Sequence, residues 1–192
     1  MRSESLLLTL LLSACDEKND GPPPERFASV KKSASKAAQQ FCEKSYPKSG
    51  EGSRKLALPA TRTAPDAVKG WTWLNVWATW CTPCVEEMGL LNRWRDAASR
   101  EGLGLTFELL SIDESEAEPK LNEWKAKNLP GSILWIRGSD DFPPFLDSLG
   151  VERNAAIPIH VLVDPSGMVR CVRVGAIHEE NWGAVRDLIQ AG

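Results

Sequence analysis

The stretch W-T-W-L-N-V-W-A-T-W-C-T-P-C, Trp71 to Cys84, decides the fold. Trp71 to Trp77 is rich in aromatic and β-branched residues and carries no charge, which reads as a central strand buried on both faces. The pattern changes at Pro83. From there Val85, Met88, Leu91 and Trp94 recur on one face of a helix, and Pro83 suits a first turn, where its missing N–H would have no partner anyway. The strand-to-helix turn therefore delivers Cys81 to a helix start.

Two thiols three residues apart on a first helical turn have β-carbons about 5–6 Å apart, so a small adjustment opens or closes a disulfide. The free N–H groups and the helix dipole favour the Cys81 thiolate by roughly 0.3–2 kcal/mol, a moderate activation. No His, Lys or Arg lies between the cysteines to stabilise a thiolate further, as strongly oxidising C-x-x-C sites require. Glu87 follows Cys84 by three on the same face, and a carboxylate there disfavours thiolates. Both observations favour a reductant.

C-x-x-C is also half of a zinc site. A structural zinc needs four ligands, and no second C-x-x-C or H-x-x-x-H occurs; the chain has two histidines, His160 and His178. The pair is read as redox-active and without metal or cofactor. Glu87 has a plainer reading as a solvated helix carboxylate like its neighbour Glu86. Trp80, beside Cys81, is assigned to the site surface and Trp77 to the core. His160, among apolar residues after Pro158, reads as a tucked-in structural histidine.

Outward from this site, Leu105 to Asp113 reads as a second strand and Glu118 to Lys127, with Leu121 and Trp124 on one face, as a helix. Ile133 to Ile136 reads as a short strand and the region around Phe145 to Leu149 as a helix. Pro158 to Val163, the turn Asp164-Pro165-Ser166-Gly167 and Met168 to Val174 make a hairpin, and Asn181 to Ala191 closes as an amphipathic helix. Strand and helix alternating implies a parallel sheet with right-handed crossovers. There is no internal repeat. A formal charge of −3 gives no reason to expect nucleic-acid binding.

N-V-W-A-T-W-C-T-P-C, Asn75 to Cys84, with Ile157-Pro158 later, resembles the active-site signature of the thioredoxin superfamily, and more closely its TlpA/ResA-type extracytoplasmic thiol-disulfide oxidoreductases. The resemblance runs from about Leu58 to Ile189. It implies an α/β thioredoxin fold: a central mixed sheet, parallel strands first and a β-hairpin last, with helices on both faces. It further implies that Cys81 attacks, that Cys84 resolves and that Pro158 is a cis-proline lying against the disulfide. An X-Pro bond is the kind that adopts cis readily. Glu87 matches an acidic residue implicated in proton transfer, and Asn75 stands where thioredoxin itself has a buried Asp. Trp80, Thr82, Pro83 and Ile157 are the expected substrate contacts. The sequence departs from the pattern at Gly89, where relatives often carry a helix-kinking proline, which points to a softer kink or none.

At the N-terminus, Leu6 to Leu12 is too short to cross a bilayer core of about 30 Å as a helix and reads as part of a signal peptide. Leu12-Ser13-Ala14-Cys15 resembles the bacterial lipobox, which implies a lipid on Cys15. The expected divisions are a signal peptide over 1–14, a proline-rich tether over 15–26, a helix and loop extension over 27–57 and the thioredoxin-like domain over 58–192. Phe27, Val30, Ala34, Ala37, Ala38 and Phe41 have helical spacing; Tyr46 to Arg54 reads as a loop. With Cys15 lipidated and Cys81 paired to Cys84, Cys42 and Cys171 are left over. In an oxidising compartment these two are expected to bridge, as some TlpA-type relatives do, the alternative being two separately buried thiols.

The leading functional reading is a membrane-tethered reductase of disulfides in periplasmic or extracytoplasmic proteins, of the type that serves cytochrome c maturation or copper-site assembly and is recharged by a membrane thiol oxidoreductase. Another class is a copper(I) chaperone holding the metal through Cys81, Cys84 and His160. A peroxidase is disfavoured because Ala78 stands where that class has Thr.

Overall fold

The computed structural model describes residues 36, 38–65 and 69–192. The expected signal peptide, Cys15, the tether and most of the segment from Phe27 lie outside the described residues. In chain order the strands are β1 (Lys44–Ser45), β2 (Arg54–Lys55), β3 (Trp71–Trp77), β4 (Leu105–Ser111), β5 (Ser132–Trp135), β6 (Ile159–Val163) and β7 (Met168–Val174). The helices are α1 (Thr82–Glu86), α2 (Met88–Arg100), α3 (Glu118–Lys125), α4 (Phe142–Leu149) and α5 (Trp182–Ala191).

One sheet runs β1-β7-β6-β3-β4-β5, and β2 also pairs with β7. β3, β4 and β5 are parallel, whereas β6 is antiparallel to β3 and β7 to β6. Parallel strands followed by an antiparallel hairpin are the mixed sheet of the thioredoxin fold.

Alternation along β3 explains why helices cover both faces. Trp71, Trp73 and Trp77 join one core with Leu91 and Trp94 of α2, Trp124 of α3, and Val185 and Ile189 of α5. Leu74 and Val76 point the other way, into a core with Phe145, Leu146 and Leu149 of α4. Each such Leu or Phe contributes about 1.5–3 kcal/mol on burial. The tryptophans interlock edge to face, Trp73 with Trp94 at 5.4 Å and Trp77 with Trp124 at 5.5 Å between centroids. Asn75 therefore sits as a polar residue within the tryptophan face of a fully buried strand.

The chain from residue 38 to 57 is stitched to the sheet. Phe41 packs on Trp73, Cys42 is bonded to Cys171 of β7, and Ser45 of β1 lies opposite Cys171. The loop read over Tyr46 to Arg54 stops short of Arg54, which opens β2 opposite Val169. At the hairpin tip Asp164 Oδ1 accepts from the Ser166 hydroxyl and the Ser166 and Met168 amides, and Gly167 takes a φ of 83° that a side chain would resist.

The helix after the cysteines is interrupted at Glu87 and resumes at Met88. A softer kink or none was expected with Gly89 in place of a proline; Gly89 lies inside α2, and the interruption falls two residues before it, without a proline.

Candidate functional site

β3 ends at Trp77, and Asp113, just beyond β4, ties down the loop that follows. Its carboxylate accepts from the Thr79 amide at 2.9 Å, from the Thr79 hydroxyl at 2.7 Å and from Ser111 Oγ at 2.7 Å. The tie positions Trp80 and Cys81 relative to the sheet. Asp113 was not singled out from sequence; its signal there is an acid at the end of the segment Leu105 to Asp113.

Cys81 is the N-cap of α1, with extended backbone and its Sγ accepting from the Cys84 amide at 3.3 Å. The two cysteines are bonded to each other, their Cα atoms 5.3 Å apart. The sulfurs differ in access: Cys81 is 5 % exposed and Cys84 is fully buried. Only the first borders an open cleft. That cleft, of about 420 Å³, is lined by Trp80, Cys81, Thr82, Pro83, Ile112, Phe142 and residues 155–157, with no charged residue. Trp80 is 67 % exposed at its rim, whereas Trp77 is fully buried.

The Ile157–Pro158 peptide bond is cis, and Pro158 is buried. The Ile157 carbonyl lies 3.8 Å from Cys81 Sγ, so the two segments that frame the cleft meet at the sulfur.

Behind the disulfide lies a polar cluster in an apolar surround. Glu87 is 5 % exposed, unlike the exposed Glu86, and the solvated reading of Glu87 does not hold. Glu87 Oε1 accepts from Asn75 Nδ2 at 2.9 Å, and Oε2 from the Ile177 amide at 3.3 Å. His160 of β6 lies opposite Asn75 in the register, with Nε2 3.5 Å from Glu87 Oε2 and Nδ1 3.3 Å from both Trp73 Nε1 and Asn75 Nδ2. Both ring nitrogens thus face this cluster. Among the described residues no group of three or more His, Cys, Asp or Glu is placed to hold a metal ion.

A buried carboxylate costs free energy unless its oxygens are hydrogen-bonded, and here both are. What the site offers chemically is a thiol pair with one accessible and one sealed sulfur, plus a buried acid–base group reached through a separate indentation bordered by Pro83, Leu90 and Ile177.

No protein-family model matches the chain. Thiol-disulfide oxidoreductase ResA of Geobacillus thermodenitrificans is 29 % identical over 147 residues, covering 66 % of this chain and 76 % of the relative. Thiol:disulfide interchange protein DsbE of Haemophilus influenzae is 30 % identical over 109 residues, covering 57 % of this chain and 53 % of the relative, so the match spans about half of that protein's length. A solved structure of a putative thiol:disulfide interchange protein DsbE from Chlorobium tepidum superposes with a TM-score of 0.51 at 17 % identity, over 72 % of this chain and 96 % of that one. A thioredoxin-related protein from Neisseria meningitidis serogroup B gives 0.51 at 20 % identity, over 69 % and 96 %. The structural likenesses bear on the fold, and the sequence likenesses on the dithiol it carries. Together they support a thiol-disulfide oxidoreductase on a thioredoxin fold, similar to the TlpA/ResA-type enzymes of that superfamily.

Proposed function

We propose that this oxidoreductase works as a reductase of disulfides in extracytoplasmic proteins, tethered to a membrane by lipid on Cys15. The observation that carries the reading is the asymmetry of the pair: Cys81 borders an uncharged cleft while Cys84 is sealed beneath it.

In the reduced protein the Cys81 thiolate attacks one sulfur of a substrate disulfide. A Cys81–substrate bond forms, and the other substrate sulfur leaves as a thiolate that takes a proton from water. Cys84 then passes its proton to Glu87 and attacks Cys81 Sγ; the Cys81–Cys84 bond forms, the second substrate sulfur leaves as a thiolate that takes a proton from water, and Glu87 returns its proton to water. The substrate gains two electrons and two protons, and the protein ends as the disulfide. A membrane thiol oxidoreductase supplies two electrons to reopen it.

The Cys84 amide and the start of α1 stabilise the Cys81 thiolate, by roughly 0.3–2 kcal/mol for the helix terminus. The cleft brings no cation to add to that. A weakly stabilised dithiol gives up its electrons readily, whereas strong oxidants are those whose reduced form is stabilised. Trp80, Thr82, Pro83 and Ile157 are assigned to substrate contact, Pro158 to shaping the cleft, and Cys42–Cys171 to fastening the extension. The uncharged lining fits an apolar segment around the substrate cysteine, as in an apoprotein awaiting haem or copper. Residues 1–14 are assigned as the signal peptide, 15–26 as the tether and 27–57 as an extension of the 58–192 domain. Among the described residues no helix is long and apolar enough to cross a membrane.

The reading is tested with Cys84→Ser in the full chain. A mixed disulfide with extracytoplasmic proteins should accumulate, be released by reductant, and vanish when Cys81→Ser is added. Absence of any Cys81-dependent adduct would falsify the reading.

A further inference from the structure

Trp73 Nε1, an indole N–H that can only donate, points at His160 Nδ1 from 3.3 Å. Asn75 Nδ2 approaches the same nitrogen at 3.3 Å while also donating to Glu87 Oε1. A carboxylate only accepts, so the amide nitrogen of Asn75, not its oxygen, must face Glu87. His160 Nδ1 is therefore met by two donors and has to present a lone pair. An imidazolium would set its own N–H against that of Trp73. Turning the ring over would place a carbon there and leave the indole N–H without its acceptor. The ring proton belongs on Nε2. Among the described residues that atom has no polar neighbour in hydrogen-bond geometry, and the group it faces is Glu87 Oε2, 3.5 Å away. Contacts of this kind are often long in a resting enzyme and tighten as the reaction proceeds.

We propose that His160 is a positioning residue for the resolving step: locked by Trp73 as the neutral Nε2–H tautomer, it donates to Glu87 and holds that carboxylate ready to take the Cys84 proton. The proposal rests on the reductase reading above. His160 does not itself carry protons. Its Nδ1 is stoppered by two donors and its side chain is 1 % exposed, so among the described residues the cluster opens to water on the Glu87 side. Arg173, cross-strand from His160, does not compete for Glu87, because its guanidinium is spent on the Phe41 and Ala176 carbonyls. A neutral donor in this place favours the charged carboxylate without adding a full positive charge that would stabilise the thiolates and weaken the reductant.

The test has two arms in the full chain. Nitrogen-15 NMR of the ring should show His160 protonated on Nε2 and bare on Nδ1 in both oxidised and reduced protein. In Trp73→Phe, which removes the indole N–H but keeps an aromatic ring, that signature should give way to a mixture of ring forms. In the kinetic arm, His160→Leu should slow release of a preformed Cys81 mixed disulfide about tenfold or more, as loss of a hydrogen bond to a charged group does, while the first attack stays within about twofold. His160→Gln, whose amide can reach the same place, should restore most of the loss. A proton on Nδ1 in the wild type, or wild-type release by a folded His160→Leu, overturns the proposal. If His160→Leu does not fold, the ring spectra of wild type and Trp73→Phe decide alone. The spectra do not depend on catalysis, so failure of the reductase reading would show separately, as no Cys81 mixed disulfide even from Cys84→Ser with His160 intact.

Discussion

The carboxylate of Glu87 and the side-chain amide of Asn75, twelve residues apart in sequence, are hydrogen-bonded at 2.9 Å inside the molecule. The contact joins the central strand to the break between α1 and α2, three residues beyond the sealed cysteine. It buries an ionisable group three residues beyond Cys84, the base that the proposed resolving step calls for.

Glu87→Gln keeps the size of the side chain but removes the base. Release of the Cys81 mixed disulfide should slow by about 10²-fold or more, the usual worth of a positioned general base, with the first attack little changed. Stopped-flow tryptophan fluorescence separates the two phases. Equal slowing of both would contradict the assignment. Glu87→Leu should also cost about 1–3 kcal/mol of stability, since it strands the Asn75 amide and the Ile177 N–H.

The Cys42–Cys171 bond spans 129 residues. Replacing both cysteines by Ser should lower the unfolding free energy by about 2–5 kcal/mol, chiefly by freeing the unfolded chain. Activity of the folded protein should survive, because neither residue lines the cleft. Urea titration with insulin-type turnover checks both parts; an unchanged midpoint contradicts them.

Burial opposes the charge of Asp164, but hydrogen bonds from the Ser166 hydroxyl, the Met168 and Ser166 amides and Arg170 outweigh it and hold its carboxyl below the ordinary range. A folded value below the unfolded one, about 3.9, stabilises the fold above that pH and loses its effect as pH falls through the folded value. The stability advantage of wild type over Asp164→Asn should therefore be full at neutral pH and shrink as pH drops below about 4. Paired urea melts across that range check the sign; a gap that is constant down to strong acid contradicts it.

Trp80 stands exposed at the cleft rim. Trp80→Ala should leave stability within about 0.5 kcal/mol while raising KM for a protein disulfide several-fold more than for a small disulfide such as oxidised glutathione. Equal effects on both substrates would remove Trp80 from docking.

Much of this architecture was legible because local chemistry and tertiary packing agree. The charge-free strand Trp71–Trp77, the apolar spacing of Met88, Leu91 and Trp94, and the Asp164 to Gly167 turn each announce their element. β1 and β2 were missed because Lys44–Ser45 and Arg54–Lys55 carry no strand pattern; their pairing is set by the neighbouring edge of β7 and the Cys42–Cys171 bond. Gly89 in place of a proline pointed to a softer kink or none, yet the helix is interrupted at Glu87, with the acid side chain turned inward to Asn75. His160 could be placed in the core from sequence. That it faces Glu87 depends on how β6 registers against β3, which no local pattern records. Asp113 likewise needs β4 beside the loop after β3 before its partner Thr79 comes within reach.

The central claim is that the dithiol runs as a reductant, because one backbone amide and a helix start stabilise the Cys81 thiolate and the uncharged cleft adds nothing to them. The reduction potential of the Cys81/Cys84 couple, measured against glutathione or dithiothreitol buffers in the purified full chain, tests this most directly. A value below about −180 mV, toward the thioredoxin range, is the predicted result. A value of about −180 mV or higher, toward the oxidising dithiols, would contradict it.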